Sequence, residues 1–480
     1  MGKSEPSDEQ DGWRPSRREL LLKGFGAVTA GLAGLLNAED AVARGKKRRK
    51  TAAKTKGKKG RGKKSKQKPS RATHTPAGPI PGSALYSDLI TYYNLGEHRT
   101  ATEADLRTSD WLARQLKAAG LKTELQPFRL KQFFTGSCSL EIEGKKLRAF
   151  PLWPPRATGP IAVRGRVVSF EAGIRARGAI AVVKFPFDER AAITPYHVDR
   201  ISEAAKAGAA AVIAVTAGPT GEIIALNTRP AVEQWPVPVA LIAPRDEAAL
   251  EAAAFSRIQA SLLIDGREES AAVAKNVVGR LDRGKHIFVV STPQSGWFRC
   301  GGERGPGIAL FLGLARWARR SSSEASFLFV STSGHELGGL GVEKFIKDLA
   351  PRPERVICWL HLGAGIATYE WEDTDRGPRR LHDIDSRRRL MCRKDLVELL
   401  SEPFAGLAGL TPNPAVSAGE YEQISRAGYR AFAIVGASTF HHTPADSPEM
   451  TGPEILEPVG TALVKSIEAI EAKYAIAPIR

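Results

Sequence analysis

The chain has 480 residues, room for about two to three domains, and its 42% apolar and 25% charged content is that of a globular protein. The net charge of +18 does not describe a basic binding face: sixteen Lys and Arg lie between positions 44 and 71 with no Asp or Glu, and the remainder is close to neutral. Four cysteines exclude a disulfide scaffold at this length. Cys358, inside an apolar run, reads as a small buried hydrophobe, and whether any two of the four pair is left open.

In chain order, Ser16-Arg17-Arg18-Glu19-Leu20-Leu21-Leu22-Lys23 precedes a Gly/Ala-rich apolar run at 24–36, followed by Ala41-Val42-Ala43. A charged start, a short apolar stretch and an A-x-A site make a secretory signal over 1–43, and the paired arginines resemble a twin-arginine export signal. The run is too short to span a bilayer, so the mature chain is expected to be periplasmic or secreted, without a transmembrane segment. Residues 44–81 are Lys/Arg/Gly/Ser/Pro-rich with almost no large apolar residue, and are expected to form a disordered linker. The basic stretch 44–71 reads either as a solvated spacer or as a tether to an anionic surface. Nucleic acid is the weaker partner, since no aromatic residue interrupts the lysines to stack on bases.

The folded part begins near position 84. Helices are predicted at 85–93 and at 103–119. The second has Leu106, Trp111, Leu112 and Leu116 at helical spacing, Thr102 to cap it and Gly120 to end it. A strand follows at 121–128. From 148 to 268 the pattern changes to short strands at 165–169, 178–183, 210–215 and 237–242, with a helix at 201–210. The helix, Ala-Gly-Ala and apolar strand order, with a later Val237-Pro238-Val239, resembles a protease-associated domain inserted into the chain. Beyond Asn276, strands at 286–291, 326–331, 355–360 and 430–435 alternate with helices at 307–319, 340–348 and 453–473. Such alternation predicts an α/β fold with a mostly parallel central sheet covered on both faces. Residues 82–147 and 269–480 would then form one discontinuous α/β domain.

Ligands of such sheets sit beyond the carboxyl ends of the strands. The segments there hold Thr292-Pro293-Gln294, Glu303-Arg304-Gly305-Pro306-Gly307, His335-Glu336 before Gly338-Gly339, His361, and His441-His442-Thr443-Pro444-Ala445-Asp446. Only nine histidines occur in the chain, and four of them fall here. Imidazole and carboxylate together suit zinc.

The order and spacing over 92–472 resemble the co-catalytic zinc aminopeptidase and glutamate carboxypeptidase family, of zinc-exopeptidase fold, a three-layer α/β sandwich. The resemblance implies metal ligands at Glu303, Glu336, His361 and His442. At four positions the chain departs from the family. Thr292 stands where a histidine ligand is usual, Glu303 replaces the bridging aspartate, His335 replaces the general-base glutamate, and His361 falls on an aspartate position. The implied site holds one zinc-like ion rather than two, because a neutral hydroxyl is a poor ligand and site charge has been lost. His335 is the expected base, its unperturbed pKa near 6.5 suiting proton transfer at neutral pH, and Arg304 is expected to hold a substrate carboxylate. The function expected is an exported metal-dependent hydrolase of a peptide or related amide; the alternative is a catalytically inactive peptidase-like binding or scaffold protein.

Overall fold

The computed structural model describes residues 78–171, 173–228 and 234–474. The expected export signal and most of the expected basic linker lie outside the described residues. The described residues form one compact unit. No helix among the described residues is long and apolar enough to cross a membrane.

The first two helices among the described residues are α1 (Gly82–Asn94) and α2 (Glu103–Ala118). Thr102 caps α2 by accepting from the Asp105 amide, and Gly120, at φ +85, takes the left-handed turn that ends it. The buried face of α2 carries Trp111, Leu112 and Leu116, as its periodicity predicts.

The strand expected at 121–128 is much longer. β1 (Lys122–Ile142) pairs antiparallel with β7 (Gln259–Leu281) along its whole length, with irregularities only at Leu130/Gln132 and Thr135/Ser137. The outer half of this ribbon joins β2 (Lys145–Pro151), β3 (Val163–Ser169), β4 (Ile180–Phe185), β5 (Ala211–Thr216) and β6 (Val239–Ile242). Their order, β1-β2-β6-β5-β4-β3-β7 and back to β1, is a closed ring. It draws on residues 132–142, ahead of position 148, because the ribbon serves the barrel and the layered sheet at once. β5 is buried at every residue. Ala211, Ile213 and Val215 face the barrel interior, while Val212 and Ala214 lie under Ile201 and Ala204 of α3 (Pro195–Lys206). That helix starts and stops earlier than 201–210, since Gly208, at φ +91, turns the chain and a Cβ there would meet the Arg177 backbone at 3.1 Å. A further helix, α4 (Glu247–Phe255), precedes β7.

The inner half of the ribbon enters the central sheet. β7 pairs antiparallel with β9 (Ser326–Thr332). The parallel strands β9, β8 (Ile287–Pro293), β10 (Val356–Leu362) and β15 (Ala431–Val435) form its middle. β13 (Arg389–Cys392) and β14 (Pro412–Asn413) complete the far edge, and β11 (Tyr369–Glu372) pairs with β12 (Arg379–Ile384) separately. One face packs on α1, α2, α5 (Gly305–Arg320) and α9 (Pro453–Tyr474), the other on α6 (Leu340–Asp348) and α8 (Glu420–Arg426); a short α7 (Val397–Ser401) packs beside β14. Alternation along β9 assigns Phe327 and Phe329 to the first face, Leu328 and Val330 to the second. This is the expected α/β architecture, a mostly parallel sheet between two helical layers.

Candidate metal centre

The loops that leave β8, β9, β10 and β15 at their carboxyl ends meet in one buried region. After β8 the chain is held by its own polar groups. Gln294 Nε2 donates to Asp105 Oδ1 at 3.1 Å and Ser109 Oγ at 2.6 Å, tying the loop to α2. Thr292 is directed into the sheet and donates to the Leu362 carbonyl at 2.9 Å. It lies beneath Gly307, where a Cβ would come within 2.9 Å of its hydroxyl, so the first turn of α5 can sit close on the strands only with glycine there.

Glu303 and Arg304 immediately precede α5, and both are buried. Asp446 fixes their backbone, accepting from the Gly302 amide at 2.7 Å and the Glu303 amide at 2.9 Å. Burial, and then the charge of Glu303, push the Asp446 carboxyl up to about 8. Glu303 Oε1 lies 3.0 Å from Arg304 Nη2 and 3.3 Å from His442 Nε2. Burial alone would raise the Glu303 carboxyl; Arg304 first, then His442 and His441, outweigh it and hold it well below the usual range. These are charge contacts rather than aligned hydrogen bonds, for both Glu303 oxygens and His442 Nε2 are buried without a hydrogen-bond partner.

His442 has a left-handed backbone, φ +58, a strained conformation for a side chain of this size. Its Nδ1 lies 2.9 Å from the Ala225 carbonyl, and Ala225 returns its amide to the His442 carbonyl at 2.9 Å. A carbonyl only accepts, so Nδ1 carries a proton, and Nε2 is the nitrogen left to meet Glu303. Nε2 faces a carboxylate oxygen at 3.3 Å. A cation between the two, a proton or a metal ion, would bind both. A spacing of about 3.3 Å is also the edge of a tetrahedron with bonds of about 2.0–2.1 Å, the lengths zinc makes to imidazole and carboxylate. His441 stacks on His442 with ring centroids 4.0 Å apart, and its Nδ1 too is buried without a partner. Among the described residues, Glu303, His441 and His442 are the group whose ligand atoms fall within 4.8 Å of one another. The donor set therefore fits one small cation.

The other expected residues stand differently. Glu336 lies outside that group and has both oxygens engaged, Oε2 accepting from Ser295 Oγ at 2.8 Å and Oε1 from Arg304 Nη2 at 3.1 Å. Arg304 is turned inward and 1% exposed, and its partners are these two protein carboxylates in place of a substrate carboxylate. His361 Nδ1 is 2.9 Å from Ser291 Oγ, which also accepts from Trp359 Nε1 at 2.7 Å; burial lowers its pKa to about 4, so the ring is neutral at pH 7. His335, partly exposed, has Nδ1 3.1 Å from Glu420 Oε1, and Thr332 Oγ1 donates to both Glu420 oxygens. Burial would raise the Glu420 carboxyl, but His335 and then His361 hold it down, so it stays charged beside the ring.

Sequence reasoning placed His441 at this strand end but assigned it no role, and it missed Glu420 altogether. The only local signal for Glu420 is that it follows Gly419 at the start of α8. The barrel reaches the site through residues 225–228: besides Ala225, the Thr228 amide donates to the Glu336 carbonyl at 3.1 Å and Trp297 Nε1 to Asn227 Oδ1 at 2.9 Å. Near Leu337, a cavity of about 500 Å³ opens between the ribbon and the barrel, lined by Phe133, Trp153, Pro154 and Leu340 together with Arg129 and Lys131.

No protein-family model matches the chain, and no curated protein does. Among solved structures, a zinc aminopeptidase from Bacillus subtilis aligns with a TM-score of 0.66 at 17% identity, over 84% of this chain and 97% of that one. A peptidase precursor from Shewanella amazonensis gives 0.63 at 16%, over 83% and 95%. An aminopeptidase from Aneurinibacillus gives 0.57 at 16%, over 81% and 93%. At such identities the likeness establishes architecture, and the chain has the fold of the zinc exopeptidases.

Proposed function

We propose that the chain is an exported metal-dependent hydrolase that cleaves a peptide or related amide bond, with one zinc-like ion held by Glu303, His441 and His442. The observation that carries this reading is the His442 ring, committed through Nδ1 to a carbonyl while its bare Nε2 faces Glu303 at 3.3 Å. Fold likeness to zinc aminopeptidases agrees with it. An ion there would act as a Lewis acid and lower the pKa of water.

The chain's own groups do the rest. Ala225 holds the proton on Nδ1 of His442, as carbonyls hydrogen-bonded to metal-binding imidazoles do. Asp446 anchors the backbone of Glu303. Glu420 fixes Nδ1 of His335, which leaves Nε2 to accept a proton from the attacking water and return it to the departing amine. The cavity beside Leu337 takes an apolar substrate side chain. The ring of strands with α3 is the protease-associated-like insert, and residues 44–71 are the tether to an anionic surface.

A second reading, an inactive peptidase-like scaffold, is favoured by Arg304, which binds both Glu303 and Glu336 from within. Metal content and hydrolysis of aminoacyl amides and short peptides, measured on protein purified from the periplasm, separate the two. One ion per chain with activity abolished by chelation supports the hydrolase; metal-free protein without activity supports the scaffold. Export is tested by Arg17-Arg18 to Lys-Lys, which should leave precursor inside the cell.

A further inference from the structure

Glu303 and Glu336 leave different strands, β8 and β9, yet one nitrogen serves both. Arg304 Nη2 stands 3.0 Å from Glu303 Oε1 and 3.1 Å from Glu336 Oε1, and all three side chains are 1% exposed. The guanidinium is fixed in orientation: its Nε donates to the Ser295 carbonyl at 2.9 Å, while Ser295 Oγ donates to the second oxygen of Glu336 at 2.8 Å. Two carboxylates buried side by side require a positive charge between them. In a site made of carboxylates and imidazoles a dication ordinarily meets that need. Here the charge is part of the chain.

We propose that Arg304 stands in for a metal ion: its guanidinium holds the place between Glu303 and Glu336 that a dication would bridge, and lowers by one the number of ions the site takes. Several properties follow from the chemistry of arginine. It stays protonated at any working pH, so the charge does not leave. It offers no open coordination position, so it cannot activate water. It neutralises Glu336 and leaves the Glu303 carboxylate, His441 and His442 for an ion of their own.

The identity of the ion rests on the hydrolase reading above; the difference in ion count does not. The test counts zinc by mass spectrometry after equilibrium dialysis against zinc, with circular dichroism as a check of folding. Arg304→Gln keeps the shape and removes the charge, and should bind one more ion per chain than the parent. Adding Glu336→Gln should abolish that extra ion. Arg304→Lys keeps a cation and should retain the parent count. An unchanged count in folded Arg304→Gln, or the same gain in Arg304→Lys, overturns the proposal. If Arg304→Gln does not fold, Glu336→Gln alone decides: an unchanged count supports it, and loss of an ion overturns it. A parent chain that takes no ion sinks the hydrolase reading, and the gain on removing the Arg304 charge is still measured.

Discussion

Two clusters of imidazole and carboxylate sit beyond the same four strands, and they differ in what their polar atoms bind. In the His335, Glu420 and His361 cluster the groups facing inward have protein partners: Glu420 is held by Thr332 and His335, and His361 by Ser291. In the Glu303, His441 and His442 cluster both carboxylate oxygens and a nitrogen of each ring are left without one. Buried polar groups are nearly always hydrogen-bonded, so a concentration of exceptions marks a place for something else. Residue type alone does not separate an ion site from an orienting network; hydrogen-bond satisfaction does.

That contrast can be broken most sharply by removing ligands from one side only. Glu303→Gln and His442→Ala should each weaken zinc binding by at least about a hundredfold, since losing a direct ligand costs more than losing a group that only orients one. A competition titration with a chromophoric chelator measures this. The opposite side should respond in rate alone. His335→Ala should keep its zinc and lose about 10²- to 10⁴-fold in turnover of any amide substrate found, the usual worth of a general base. Loss of zinc from His335→Ala would merge the two clusters into one site.

A third measurement uses a buried ring in neither cluster. Burial pushes His98 down to about 3, while the unfolded chain titrates near 6.5. The stability it contributes is fully present above pH 6.5 and is lost as the pH falls from there towards 3, because only the unfolded state takes the proton. At pH 5 that amounts to about 2 kcal/mol. Asp105, raised by burial to about 6, works in the opposite direction below that pH, but it cancels when the parent is compared with His98→Gln. Denaturant unfolding at pH 7 and pH 5 should show the parent losing about 2 kcal/mol more than the variant. The smallest effect is expected at the barrel's contact with the metal cluster. Ala225→Pro removes the amide given to the His442 carbonyl and should weaken zinc binding by about tenfold, at the low end for an outer-shell change.

Elements with a clean local period were legible in the sequence. Helix α6 runs over 340–348 as its spacing predicts, and α2 differs from expectation by one residue at its end. The extent of β1 was not legible, because residues 129–142 alternate irregularly and their partners in β7 lie far along the chain. Pairing, rather than propensity, makes that segment a strand. In the site, Glu303 and His442 could be found because a motif marks them. His441, Glu420 and Ala225 could not. Each acquires its place from tertiary contact: His441 from stacking on His442, Glu420 from the turn at Gly419, and Ala225 from a barrel loop whose backbone, not its side chain, meets the site.

Closing the barrel through the β1–β7 ribbon also decides where other chains could add to the sheet. A ring has no free rim, so the barrel offers no row of unpaired amides. The layered part has two rims, the inner half of β1 and the two-residue β14, and a proline stands in each, Pro127 and Pro412. Proline gives no amide to an incoming strand, and Lys122 and Glu124 place charge along the first rim. Edge-to-edge stacking of copies is thereby disfavoured at both ends of the layered sheet.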